Sequence, residues 1–164
     1  MKQVSAPLFR DPLYDGAADP MVIYNHAEKT WWMLYTQRRA NVDSPGVAYC
    51  YGCTIGVAES TDGGNEWLYR GALDLEFERG LNTFWAPETI HHQGLYHMYV
   101  SYTRGVNWRF FGKAKIVHYT SENLWDWKMA GEIPLGSGSV IDVCVYPLPS
   151  GGFRMWYKNE GDHS

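Results

Sequence analysis

Only three cysteines occur in 164 residues, and so sparse and odd a set cannot build the disulfide framework that holds small secreted domains together. Cys50 and Cys53 form a C-x-x-C pair, but a zinc site needs two more ligands at suitable spacing. Cys144 lies inside an apolar run, where a small buried thiol is the ordinary expectation. No metal and no cofactor are expected. A surplus of basic charge is missing too: 14 Lys and Arg stand against 18 Asp and Glu, a net charge of −4. That leaves no footprint for nucleic acid or for an anionic membrane surface. No run of about 18 apolar residues is present to span a bilayer as a helix. The opening MKQVSAPLFRDPLYDG has no apolar segment of a secretory leader, so a cytoplasmic or already processed protein is expected.

A sustained helical stripe is also absent. The chain offers instead short runs rich in Val, Ile, Tyr, Trp and Thr, bounded by Gly, Asn, Asp and Pro, which is the pattern of strands and turns. Aromatic residues make up 16% of the sequence, with eight Trp and twelve Tyr, and 17 Gly serve the turns. Aromatic side chains suit sheets packed face to face, because a ring covers a large area for few frozen torsions.

The runs repeat. Residues 57–73, VAESTDGGNEWLYRGAL, match residues 117–133, VHYTSENLWDWKMAGEI, at a constant offset of about 60 residues without a gap. A second element recurs as DPMVIYNHAEKTWWMLYT from Asp19, PETIHHQGLYHMYVSY from Pro87 and DVCVYPLPSGGFRMWYK from Asp142. In it Trp32, Tyr96 and Phe153 are matched, as are Tyr35, Tyr99 and Trp156. A period of this size marks a propeller or solenoid, since one unit cannot bury its apolar face without a neighbour. The expected architecture is an all-β propeller domain over residues 1–164, of which about two and a half blades are present. Blade 1 covers about 17–73, blade 2 about 85–133, and blade 3 begins at about 140–164. Its strands are expected near 20–24, 31–37, 54–60 and 67–73, then 88–92, 95–102, 115–120 and 127–132, then 142–147 and 153–158.

Three acids, Asp19, Glu88 and Asp142, sit just before the first strand of each unit. The first strand of every propeller blade lines the central axis, so an acid at its entrance faces the funnel where ligands bind. An Asp before Pro also caps turns, and for Asp19 alone that explanation suffices; recurrence in three units favours the funnel. Asp142 is an isolated charge in an apolar run, and such a charge needs either a donor or a polar cavity. Glu88 follows Trp85 across two small or rigid residues. The ring can stack on a sugar while the carboxylate accepts from its hydroxyls.

The Asp-Pro at Asp19, the Trp-Ala-Pro-Glu of residues 85–88 and the Ile-Asp at Asp142 together resemble glycoside hydrolase family 43 and related five-bladed propeller glycosidases. The resemblance runs over the whole chain as the N-terminal half of such a propeller. It implies that Asp19 is the general base that activates water, that Asp142 orients a catalytic partner and tunes its pKa, and that Glu88 belongs to the substrate pocket. Asp142-Val143 departs from the Asp-Pro usual at that point. The family's general acid is a Glu of a later blade; Glu160 is the late carboxylate of this sequence, and its position suits a loop at the rim.

The expected activity is hydrolysis of O-glycosyl bonds, with inversion, on neutral arabinoside-like or xyloside-like glycans, this chain by itself being inactive if the acid lies elsewhere. Inversion needs two carboxyl groups about 6.5–9.5 Å apart. Asp19 and Asp142 are the catalytic candidates. Glu88, Trp85, Arg39 and Trp108 are the substrate-binding ones, with Arg38 and Arg104 as further loop arginines. Two alternatives stand beside this. One is a non-catalytic carbohydrate-binding or assembly module. The other follows from Ser60–Trp67, which fits an S-x-D-x-G-x-x-W hairpin box like that of sialidases, although no arginine cluster or Tyr-Glu pair accompanies it. The partner expected is a carbohydrate, together with a second copy or a complementary half to cover open strand edges.

Overall fold

The computed structural model describes residues 6–110 and 113–161. Its ten strands form three antiparallel sheets. The first holds β1 (Gly16–Asn25), β2 (Thr30–Arg38), β3 (Ile55–Ser60) and β4 (Leu68–Ala72), in that spatial order. The second holds β5 (Thr83–His92), β6 (Leu95–Thr103), β7 (Lys115–Ser121) and β8 (Lys128–Glu132); the third pairs β9 (Val140–Pro147) with β10 (Phe153–Asn159). β1 touches β5 and β5 touches β9. The first strands therefore stand side by side around one axis, while β4 and β8 form the outer rim. Two complete blades and the inner pair of a third make this part of a β-propeller. Among the described residues no helix is long and apolar enough to cross a membrane.

Alternation along β2 and β6 distributes side chains between the two faces of each blade. Trp32 and Leu34 turn toward blade 2 and join Tyr96, Met98, Val100, Tyr102, Val117 and Tyr119 in one buried cluster. Met33 and Tyr35 turn the other way, onto Phe9 and Trp67. On the far side of blade 2, Tyr99 and Ile116 meet Val140, Val143 and Met155. Met33, Met98 and Met155 thus hold one structural position in successive blades.

This geometry corrects two alignments drawn from the letters. Leu34 pairs with Met21 and Tyr99 with Glu88, so Tyr99 corresponds to Leu34 and not to Tyr35. A shift of one residue exchanges the two faces of a strand, and the two tyrosines accordingly lie on opposite faces of their blades. The β3–β4 hairpin is also one residue longer than the β7–β8 hairpin: Ala58 pairs with Tyr69, Tyr119 with Met129. The offset is therefore 61 before the turn and 60 after it.

The face of blade 1 away from blade 2 is covered by the segment that precedes β1. Asp11, 2% exposed, accepts from Tyr35 Oη at 2.6 Å, Gln37 Nε2 at 2.8 Å, and the backbone N–H groups of Leu13 at 2.9 Å and Tyr14 at 2.7 Å. Four donors on one buried carboxylate satisfy the burial requirement for charge. Tyr35 lies so low on the sheet that a Cβ at Gly56 would come within 2.4 Å of its ring. Glycine is required there by close approach, not by backbone conformation.

Cys50 and Cys53 are buried, with Cys53 Sγ on Cys50 O at 3.1 Å, whereas Cys144, expected to be buried in its apolar run, is exposed. His91 and His92, at the end of β5 beside the β5–β6 turn, are both exposed.

Candidate active site

Each innermost strand breaks its ladder once. Two residues face one across the gap between Ala18 and Met21 in β1, between Trp85 and Glu88 in β5, and between Ile141 and Cys144 in β9. These are β-bulges, which redirect side chains. The first residue of each bulge has positive φ: 50° at Asp19, 46° at Ala86 and 53° at Asp142. Asp tolerates that region better than most residues do. The acids therefore lie inside the strands and not ahead of them, and the strands begin several residues earlier than the apolar runs suggest.

The bulges also correct the threefold recurrence of acids. Asp19, Ala86 and Asp142 are equivalent, whereas Glu88 corresponds to Met21 and Cys144. Two carboxylates, not three, occupy the repeated position. Glu88 Oε1 instead accepts the N–H of Val145 at 2.9 Å, and the exposed Cys144 thiol also bonds to Glu88, its pKa raised by partial desolvation and by the Glu88 charge. Glu88 ties blade 2 to blade 3 beside the axis.

In blades 1 and 2 a hydroxyl on the second strand accepts the bulge N–H of the next blade. The N–H of Ala86 donates to Thr36 Oγ1 at 2.9 Å, and Thr36 Oγ1 donates to Asp19 Oδ2 at 3.0 Å. One blade later the N–H of Asp142 donates to Ser101 Oγ at 3.1 Å. Thr36 pairs with Ala18 and Ser101 with Trp85, so the two hydroxyls are structural equivalents. Thr36 has a single proton. Because Ala86 is a donor, that proton must go to Asp19, which fixes Oδ2 as an acceptor.

Arg38 Nη2 lies 3.7 Å from Asp19 Oδ2. Its Nε is buried and has no hydrogen-bond partner among the described residues. Asp142 binds its proton more tightly than an ordinary carboxylate, first through burial and then through the negative charge of Asp19; Glu160 adds to this, while Lys158 and Arg38 oppose it. Asp19, Asp142, Arg38, Lys158 and Glu160 thus form one electrostatic group at the end of the axis where β1 begins. Glu160 is itself engaged with Lys158 Nζ at 2.5 Å.

The antiparallel order carries the β2–β3 connection, the β6–β7 connection and the segments entering β5 and β9 to this same end. Trp85, next to the Ala86 bulge, donates from Nε1 to Cys50 O at 2.6 Å and receives the edge of Tyr51 at 5.0 Å between centroids. Arg39 donates from Nε to Tyr51 O and from Nη2 to Ala48 O, both at 2.9 Å. It holds the β2–β3 loop that carries Tyr51, which leaves Arg38 as the arginine beside Asp19. Trp108, 56% exposed, stacks on the Arg109 guanidinium at 4.0 Å, and its carbonyl accepts the N–H of Val47 at 3.1 Å. Among the described residues no three His, Cys, Asp or Glu side chains converge as metal ligands.

Thr36, Ser101, Tyr51 and Lys158 were not singled out from the sequence. The signal for the first two was present: Thr36 closes MLYT and Ser101 closes MYVS, each three residues past a matched methionine. The alignment shifted by one residue concealed it.

No protein-family model matches the chain, and no curated protein sequence matches it. Its fold is that of solved propeller structures. A thermostable family-43 glycoside hydrolase superposes with a TM-score of 0.61 at 21% identity, over 91% of this chain and 44% of that one. The α-L-arabinanase of Cellvibrio cellulosa, solved with arabinohexaose, gives a TM-score of 0.57 at 20% identity, over 85% and 43% of the two chains. An N-acetylgalactosamine deacetylase from F. plautii, in complex with blood group B trisaccharide, gives 0.64 at 16% identity, over 86% and 40%. The chain spans less than half the length of each of these three structures.

Proposed function

We propose that the chain forms the water-activating side of a propeller glycoside hydrolase that acts on neutral glycans of the arabinoside or xyloside kind with inversion. The observation that carries this reading is the pair of aspartates at equivalent bulges of blades 1 and 3, joined electrostatically and flanked by Arg38. The likeness to a family-43 hydrolase fold supports it.

In this reading Thr36 holds Asp19 Oδ2, and Oδ1 takes a proton from a water as that water attacks the anomeric carbon. Asp142, whose proton affinity is raised by burial and then by the charge of Asp19, stands beside it as the orienting carboxyl. Arg38 offers donors to substrate hydroxyls. Trp85, with its indole pinned by Cys50 O, presents a flat wall beside the bulge, and Trp108 a second ring at the same end. The proton for the leaving oxygen is assigned to a carboxyl other than those described above, since Glu160 is paired with Lys158.

The test is hydrolysis of arabino- and xylo-oligosaccharides by this chain, and by any longer protein that contains it, with Asp19→Asn as the variant. Turnover should fall by about 10³-fold or more with the circular dichroism spectrum unchanged, the range of loss for a group acting directly on the reacting atoms. Retained turnover would refute the assignment of Asp19. The engagement of Glu160 favours one second reading, a carbohydrate-binding module. Saturable sugar binding without product from either protein would establish it.

A further inference from the structure

The funnel is not the only concave surface. A groove of about 890 Å³ runs along the outer rim between β4 of blade 1 and β8 of blade 2, away from the innermost strands that carry the aspartates. We propose that this groove is a second carbohydrate site, which takes a segment of a neutral oligosaccharide independently of the funnel.

Its lining combines the two surfaces that a sugar requires. Trp125, 39% exposed, and Met129, 51% exposed, together with Trp127 and Phe77, give apolar faces for the C–H side of a pyranose or furanose ring. Asp74, Glu76 and Asp126 line the same groove and act as acceptors for hydroxyl groups. A purely apolar ligand would strip water from three carboxylates, which is costly. Lys128 is the one cation in the lining, so the balance of charge rejects acidic ligands.

The platform is held rigid before any ligand arrives. Asn123 Oδ1 accepts from the backbone N–H groups of Trp125 at 2.9 Å and Asp126 at 2.8 Å, and Asn123 Nδ2 bonds Asp126 Oδ2 at 2.7 Å. Asn25 Nδ2 of blade 1 reaches Asn123 O at 3.1 Å. One edge of Trp125 rests on Trp32, with centroids 6.0 Å apart at 88°, and its ring passes over Gly71 of β4, where an added Cβ would lie 3.1 Å away. An aromatic ring fixed in this way loses little entropy on binding. The corresponding β3–β4 hairpin of blade 1 has Asn65 where Trp125 stands, so the platform belongs to one interblade groove and is not repeated.

The experiment titrates the ¹⁵N-labelled chain with linear arabino-, xylo- and gluco-hexaose and follows the indole N–H resonances. Trp125 and Trp127 should shift with at least one of them, and should still do so in the Asp19→Asn variant, whatever happens to hydrolysis. Asp74 and Glu76 are exposed, so the Asp74→Ala/Glu76→Ala variant should keep its melting temperature and weaken this binding about tenfold, the equivalent of one good polar contact. Trp125→Ala should abolish it. No movement of either indole with any of the three sugars would overturn the proposal, as would unchanged affinity in the double variant. Binding of an oligolysine peptide in preference to sugars would overturn it in favour of a cationic ligand.

Discussion

Removing the Thr36 hydroxyl tests the link between the two blades at the candidate base. Thr36 is fully buried, and valine preserves its shape and its β-branched fit to the strand. In Thr36→Val the N–H of Ala86 loses its acceptor and Asp19 loses a donor. A buried N–H left unsatisfied costs about 1–3 kcal/mol. Asp19, with 41% of its side chain exposed, recovers part of its loss from water. The methyl that replaces the hydroxyl returns up to about 0.8 kcal/mol. The net expectation is a loss of about 2 kcal/mol, or about 4–8 °C in melting temperature for a domain of this size. Thr36→Ser keeps both hydrogen bonds and deletes one methyl, so it should cost about 1 kcal/mol or less. Urea unfolding of the two variants measures the difference. Hydrogen exchange at the Ala86 amide localises it, because protection should fall in the valine variant and persist in the serine variant. Equal stability of the two, or unchanged Ala86 protection, would refute the argument.

Three further outcomes follow from the same structure. Asp11→Ala strands the Tyr35 hydroxyl and the Gln37 amide and frees the segment before β1, so it should cost about 3 kcal/mol or more in chemical unfolding. Asp142 holds its proton more tightly folded than unfolded, so between the ordinary carboxylate range and its raised value the native state binds more protons and stability falls as pH rises. Asp142→Asn should flatten that part of the stability profile and leave the chain more stable at neutral pH. His118, stacked on Tyr99 at 4.7 Å and bonded to His97 at 3.1 Å, has its pKa lowered by burial and then by His97. The unfolded chain therefore takes up the proton first, and stability should decline as pH falls below about 6.5, the unperturbed histidine value. His118→Gln should reduce that decline in thermal melts followed from pH 7 to pH 5.

The strands and their grouping into blades were legible because each blade spells out its own apolar alternation, and Val, Tyr and Trp sit where sheets pack. Register was harder to read. Trp31 and Trp32 are both aromatic and either one matches Tyr96 by type; only the pairing of Leu34 with Met21 and of Tyr99 with Glu88 decides which face each takes. The hairpin at Ser60–Trp67 hid its extra residue for a related reason, since both turns use a side-chain oxygen, of Asp62 or Asn123, to cap the following backbone and end on a Trp that bonds back into the turn. At the candidate site, Asp19 and Asp142 could be found as charges in apolar runs. Glu88 looked equivalent because it, too, precedes such a run, and the one extra residue of a bulge leaves no mark in composition. Arg38 and Arg39 both follow the apolar run of the second strand, and the letters alone do not separate them; the pairing of Arg38 with Gly16 places Arg38 beside the carboxylate.

The repeated bulge makes the ring an indexed set of sockets. Each blade delivers one side chain to the mouth of the axis at nearly the same backbone angle, and what stands there is independent of the packing that builds the blade. In this chain the first and third sockets hold carboxylates and the second holds the methyl of Ala86. New chemistry at the mouth could therefore evolve by single substitutions in the sockets, with the sheets left as they are.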